Sequence, residues 1–233
     1  MSTAGPGRRT GGSQLIPRPE VWRPGGPPPW ADVADAPLSL DGAVAAVRSH
    51  AAPRPFAPGA PGSRLSAVLI ALAEGDEGPE VVLTRRSAHL RNHRGEISFP
   101  GGRVDPGESV VEAALREAQE EVRLDPSLVD VMGELDHLET MVSRSYIVPV
   151  VGRLDRRPIL DPATEEVDRI LFVPLAHLRR ADTYREERWG APPTDRPIHF
   201  FELDDETVWG ATARMLVQLL AVVHGVEPPP AWS

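Results

Sequence analysis

Gly102-Arg103-Val104-Asp105-Pro106-Gly107-Glu108, followed one helix-length later by Arg116-Glu117-Ala118-Gln119-Glu120-Glu121, is the stretch on which the reading of this chain turns. In a helix, Glu117, Glu120 and Glu121 share one face, because residues three and four apart are neighbours. Three unpaired carboxylates on one face repel. A sequence that gathers them calls for a strongly positive partner, and a hard divalent cation with oxygen ligands is the simplest one.

The flanking residues predict a helix with a defined start. Ser109 and Glu112 form a capping box: the serine accepts from the N3 amide and the glutamate reaches back to the cap amide. Asp105-Pro106-Gly107 before it is turn chemistry. Val110, Ala113, Ala114, Leu115 and Ala118 supply an apolar stripe, while Glu112, Arg116 and Glu120 run at i+4 steps. On residue types alone, a salt-bridged surface helix with a solvated acidic face accounts for the same pattern.

The full string from Gly102 to Leu124 is G-x5-E-x7-R-E-U-x-E-E-x-R-U, with U apolar, and it resembles the Nudix hydrolase box. Arg123 stands where the box has glycine; every other fixed position matches, including the apolar Ala118 and Leu124. The resemblance implies an α/β fold, a Nudix-type α/β/α sandwich with a mixed β-sheet between helices. It also implies hydrolysis of a nucleoside-linked diphosphate with Mg²⁺ or Mn²⁺. Arg123 falls at the expected helix C-terminus, where glycine enters the left-handed region without strain. Another residue there costs on the order of 1 kcal/mol. That departure touches the turn and none of the ligands.

Upstream, residues 82–102 read VLTRRSAHLRNHRGEISFPGG. This resembles the signature of the coenzyme A pyrophosphatase branch of the same family, L-L-T-x-R-[S/A]-x3-R-x3-G-x3-F-P-G-G, with Val82 in place of the first leucine. The segment is also a cationic island in an acidic chain: Arg85, Arg86, Arg91 and Arg94 with His89 and His93. Guanidinium groups pair bidentately with phosphate oxygens, and coenzyme A carries a 3′-phosphate beyond its diphosphate. A loop held by surface salt bridges is the plainer reading of the same arginines.

By this resemblance Glu117, Glu120 and Glu121 hold the metal, with Glu108 reaching it through water. Glu117, Glu120 and Arg116 make up the catalytic cluster, in which Arg116 positions a glutamate by an ion pair. Arg86, Arg91, Arg94 and Gly95 face the substrate, and Gly101 and Gly102 give metal or phosphate room to approach the backbone. The general base is a box glutamate in some relatives and a distant-loop glutamate in others. Glu165 and Glu166, before a predicted strand at Ile170–Val173, are the downstream candidates, of which Glu166 is taken as catalytic. His137 and Glu139 are weaker ones. The implied activity is cleavage of coenzyme A or acyl-coenzyme A to 3′,5′-ADP and 4′-phosphopantetheine. Two alternatives stay open: a diphosphatase acting on a dinucleotide, nucleotide sugar or oxidised nucleotide, and a non-catalytic sensor on the same fold.

Composition frames this reading. The chain has 233 residues, a formal net charge of -9 and no cysteine. The acidic balance argues against broad nucleic-acid binding, and the missing thiols exclude disulfides and thiolate metal sites. No stretch reaches the roughly 18 apolar residues of a membrane span. No nucleic-acid or membrane partner and a cytoplasmic location are therefore expected; the resemblance implies a small-molecule substrate, and because relatives often dimerise a homodimer stays open.

Residues 1–36, rich in Pro and Gly, read as a flexible tail, with Trp22 and Trp30 as the residues to anchor it. Residues 37–62 read as a short helix, capped by Ser39 or Asp41 and running to about His50, then a Pro-rich linker. Residues 63–226 form the catalytic domain and 227–233 a C-terminal tail. Within the domain, Ala67–Leu72 and Glu80–Thr84 read as a hairpin around Glu74–Gly78. Further strands are expected at Val129–Leu138, Tyr146–Leu154, Ile170–Val173 and Ile198–Leu203. A closing helix, Val208 to His224, is expected with Thr207 as its cap.

Overall fold

In the computed structural model, residues 11–50, 63–89, 94–140 and 144–229 are described. Along them run β1 (Trp22–Pro24), α1 (Leu40–Ser49), β2 (Arg64–Gly75), β3 (Gly78–Arg86), β4 (Ile97–Ser98), β5 (Gly101–Arg103) and α2 (Val110–Val122). There follow β6 (Val129–Glu134), β7 (Leu138–Glu139), β8 (Ser145–Leu154), β9 (Val167–Pro174), α3 (Leu175–Leu178), β10 (Tyr184–Trp189), β11 (Arg196–Glu202), β12 (Thr207–Trp209) and α4 (Gly210–Val223).

The long strand β2 organises the large sheet. It pairs antiparallel with β3 and β5 on one side and parallel with β8 on the other, while β4 and β9 extend the sheet from β3 and β6 and β7 from β8. Alternate residues of a strand point to opposite faces, and β2 is apolar on both. Ala67, Leu69, Ala71 and Ala73 pack with Ala113, Ala114, Ala118 and Val122 of α2. Ile70 and Leu72 belong to the core shared with α1 and α4. Facing alanines on α2 and β2 let the helix lie close to the sheet, so its charged face is held at a fixed height above β5. The expected arrangement, a mixed sheet between helices, is the one observed.

A second, four-stranded antiparallel sheet in the order β1-β10-β11-β12 was not anticipated as a unit. It covers α4, whose residues from Thr212 to Val222 are all buried, as befits a helix enclosed on every side. Among the described residues, no helix is long and apolar enough to cross a membrane.

Two expectations are corrected by the structure. Residues 11–36 are not a flexible tail. β1 pairs with β10, bringing Trp22 opposite Trp189, and Trp30 is fully buried, its indole N–H donating to the Arg179 carbonyl at 3.0 Å. A Pro-rich composition disfavours regular structure but does not prevent one large aromatic side chain from seating a segment. Second, Thr207 is not a helix cap. It lies in β12, its hydroxyl donates to Glu202 at 2.6 Å, and α4 begins only at Gly210, whose φ of +64° turns the chain into the helix. In the expected C-terminal tail, the Pro229 carbonyl accepts from Arg214. The linker expected from Pro53 to Pro61, and residues 230–233, lie outside the described residues. The α1 cap is Ser39, which accepts the Gly42 amide.

Candidate active site

The acidic helix begins as its sequence dictates. Ser109 accepts the Glu112 amide, and Glu112 accepts the Ser109 amide at 2.8 Å. It ends with Arg123 in the left-handed region, φ 57° and ψ 27°. The last-turn carbonyls of a helix need partners, and two come from the loop before β9: the Asp161 amide donates to Val122 and the Ala163 amide to Glu121. That docking brings the following Glu165 and Glu166 to the end of α2.

Arg116 is the centre of the carboxylate cluster. Its guanidinium reaches Glu108 at 2.8 Å, Glu117 at 3.0 Å, Glu120 at 3.2 Å and the Arg103 carbonyl at 3.0 Å. Glu108, expected to reach a metal through water, uses one oxygen on Arg116 and the other on Arg116 and the Asp105 amide. Those hydrogen bonds hold its carboxyl below the usual range. Its observed work is to fix Arg116. Glu120 is exposed.

Glu117 and Glu121 face the β4–β5 turn. The Gly101 amide donates to Glu121 at 3.2 Å. A Cβ on Gly102 would come within 2.5 Å of the Glu117 carboxylate, so only glycine leaves that carboxylate its place. Burial pushes Glu117 upward, against the Arg116 hydrogen bond. Burial likewise pushes Glu121 to about 7; the Gly101 hydrogen bond opposes the rise and the Glu117 charge adds to it. Among the described residues, no three acidic or histidine side chains close into a metal cluster. The donor chemistry nevertheless fits a divalent ion. Two desolvated carboxylates and exposed Glu120, all oxygen donors, are what Mg²⁺ and Mn²⁺ prefer, and a hard cation relieves the repulsion that burial has imposed.

The basic segment adjoins this cluster through Arg86. Its guanidinium pairs with Glu166 at 3.3 Å, and the Ser87 amide donates to the Glu166 carbonyl at 2.7 Å. Arg86 and Glu166 both lie near enough to influence the charge of Glu121. Glu166 and Arg86 therefore adjoin the box glutamates; Glu165 and Glu166 are both exposed, and of the two it is Glu166 that pairs with Arg86. Gly95, at φ +65°, closes the loop, donating to the Arg86 carbonyl at 3.0 Å while the Arg86 amide donates to Glu96. Arg94 lies just before that closure. Arg91 and His93 lie outside the described residues.

Strand alternation separates the two leading arginines. Arg85 turns away from Arg86 to pair with Glu206 at 3.0 Å and Asp168 at 3.6 Å. Glu206, only 1% exposed, was not legible in the sequence, where nothing distinguishes it from Asp204 and Asp205. His137 and Glu139 stand apart from the cluster. His137 bridges Glu134 and the Tyr146 hydroxyl, and Glu139 accepts from Ser63.

A family model for the NUDIX domain matches residues 63–194. The chain belongs to the Nudix family. It is 38% identical over 179 residues to the Arabidopsis thaliana protein named Nudix hydrolase 22, chloroplastic, covering 72% of this chain and 57% of that one. It is 37% identical over 179 residues to Nudix hydrolase 15, mitochondrial, of the same plant, covering 72% and 60%. It is 38% identical over 172 residues to the Escherichia fergusonii protein named Uncharacterized Nudix hydrolase NudL, covering 71% and 85%. The chain thus spans less than two thirds of the length of the two plant relatives. The family match places the Nudix box from Gly102 to Leu124 inside the matched region, and β11, β12 and α4 beyond it.

Proposed function

We propose that this chain is a Mg²⁺- or Mn²⁺-dependent Nudix hydrolase that cleaves the diphosphate of coenzyme A or its acyl derivatives to 3′,5′-ADP and 4′-phosphopantetheine or its acylated form. The observation that carries the reading is the Arg86–Glu166 ion pair, at 3.3 Å, within electrostatic reach of Glu121. There a guanidinium suited to phosphate adjoins carboxylates suited to metal, at the junction of the two signature segments.

Glu117 and Glu121, with Glu120, would hold the cation. When bound, it supplies neutralisation of the diphosphate charge and a more acidic water. Arg116 keeps Glu117 and Glu120 in a common orientation, itself fixed by Glu108. Arg86 and Arg94 would bind the anionic end of the substrate. The Glu166 carboxylate, steadied by Arg86, would take the proton from the attacking water. Gly101 and Gly102 keep the backbone low, so that substrate phosphate approaches the carboxylates without meeting a side chain.

Product analysis tests this reading. The purified protein is incubated with Mg²⁺ and, separately, coenzyme A, NADH, ADP-ribose or 8-oxo-dGTP. Preferred release of 3′,5′-ADP from coenzyme A is expected. Equal or faster cleavage of a compound without the 3′-phosphate would overturn the substrate assignment, and no turnover of any would favour the sensor.

A further inference from the structure

One side chain of the N-terminal segment connects the base of the basic loop to the second sheet. The Gln14 side-chain amide donates to the Gly95 carbonyl at 3.1 Å and to the Glu206 carboxylate, and its oxygen accepts the Thr207 amide at 3.1 Å. Glu206 is also the buried partner of Arg85 and, at 3.5 Å, of Arg169. Gly95 and Arg85 lie at either side of the loop mouth, where the Arg86 and Gly95 backbones bond to one another. Arg169 belongs to β9, which follows directly from the loop bearing Glu166.

We propose that Gln14, acting through Gly95 and Glu206, is a positioning residue for phosphate binding by the basic loop. The inference rests on the diphosphatase reading for its ligand, but the contact itself does not. Its three bonds use both ends of a planar amide, so they fix the loop mouth in direction as well as distance. A buried carboxylate shared by Arg85, Arg169 and Gln14 keeps its position only while its donors remain. Withdrawal of Gln14 leaves the Gly95 carbonyl without that donor and lets the turn that aims Arg86 and Arg94 relax. The N-terminal segment thereby becomes part of substrate recognition, although it is remote in sequence from both motifs.

The test uses the full chain with Gln14→Ala and Gln14→Glu; the second sets another carboxylate against Glu206. Amide hydrogen exchange, resolved by NMR, is followed at Arg86 and Gly95, with Leu69 and Ala71 as core references. Gln14→Ala is expected to speed exchange at Arg86 and Gly95, and at Thr207, whose amide loses its acceptor, but not at the core references. It should raise KM for coenzyme A by about two- to tenfold, the worth of one or two net hydrogen bonds, with kcat within about twofold. Gln14→Glu is expected to do more of both. Unchanged exchange at the two loop amides, or a fall in kcat with KM intact, would overturn the proposal. If the wild-type chain prefers another diphosphate, the substrate assignment fails alone; the exchange result still stands, and the KM comparison is made with that substrate.

Discussion

The Gly101 amide donates to a Glu121 carboxylate oxygen at 3.2 Å across 20 residues of chain, linking the turn before the box to the end of its helix. One amide does not compensate burial, and Glu121 remains pushed up to about 7. Below the unfolded value of 4.5 the carboxyl is protonated in both states; as pH rises toward 7 the folded chain keeps a proton that the unfolded chain releases. Stability of the metal-free protein contributed by this group is therefore lost between about pH 4.5 and 7. A cation competes with that proton, so the stabilisation by Mg²⁺ should grow over the same window. Thermal melts with and without Mg²⁺ at pH 5, 6, 7 and 8 measure it; an Mg²⁺ shift independent of pH would contradict the assignment.

Glu121→Gln removes the charge but keeps the shape. Hydrolysis should fall by about 100-fold or more, the scale on which metal sites respond to lost ligand support. At pH 8 without metal, the variant should melt no lower than the wild type. Near-normal turnover would place Glu121 outside the metal's ligands.

Gly101 and Gly102 are adjacent but should fail differently as alanine. On Gly101 a Cβ would meet the Ala67 carbonyl at 2.4 Å and the Val68 Cα at 2.6 Å. Backbone cannot step aside cheaply, and a loss of about 1–3 kcal/mol or more is expected in urea titration. On Gly102 the obstacle is the Glu117 side chain, which can swing away. Folding should survive, while turnover drops by on the order of 10²-fold because a carboxylate proposed to hold the metal has moved.

Arg123→Gly is expected to stabilise the protein. Its left-handed conformation costs a non-glycine residue on the order of 1 kcal/mol, and in a chain of this size that corresponds to a rise of about 2–4 °C in Tm. Activity should not change, since none of the carboxylates contacts Arg123.

Trp30→Ala tests the seating of the N-terminal segment. The indole stacks on Phe201 at 6.4 Å, meets Tyr184 edge-on at 5.4 Å and bonds the Arg179 carbonyl. Loss of a buried tryptophan costs about 3–5 kcal/mol. A change below 1 kcal/mol in chemical denaturation would mean that the segment adds little to the core.

What the sequence disclosed was whatever local chemistry specifies. The capping box of Ser109 and Glu112, the hairpin of β2 and β3 and the turn at Arg123 each depend on residues close in the chain. β10 was missed because Tyr-Arg-Glu-Glu-Arg-Trp reads as a charged surface until its partners are known. In the fold Arg185 pairs with Glu202 and Glu187, and Arg188 with Asp195. The cationic island was legible as composition, but not the division of Arg85 from Arg86, which follows from where β3 meets Glu206 on one side and Glu166 on the other. Gln14 carries no signal at all, because its partners lie 81 and 192 residues away.

The pairing of Trp22 with Trp189 has a consequence for synthesis. The first strand emerges long before its partner, and at 5–20 residues per second it must persist unpaired for on the order of ten seconds. An ordinary apolar edge strand left exposed that long invites pairing with other chains. The prolines that made this segment look structureless lack the amide hydrogen such pairing needs. They leave the segment around β1 poorly suited to pairing with other chains before β10 has been made.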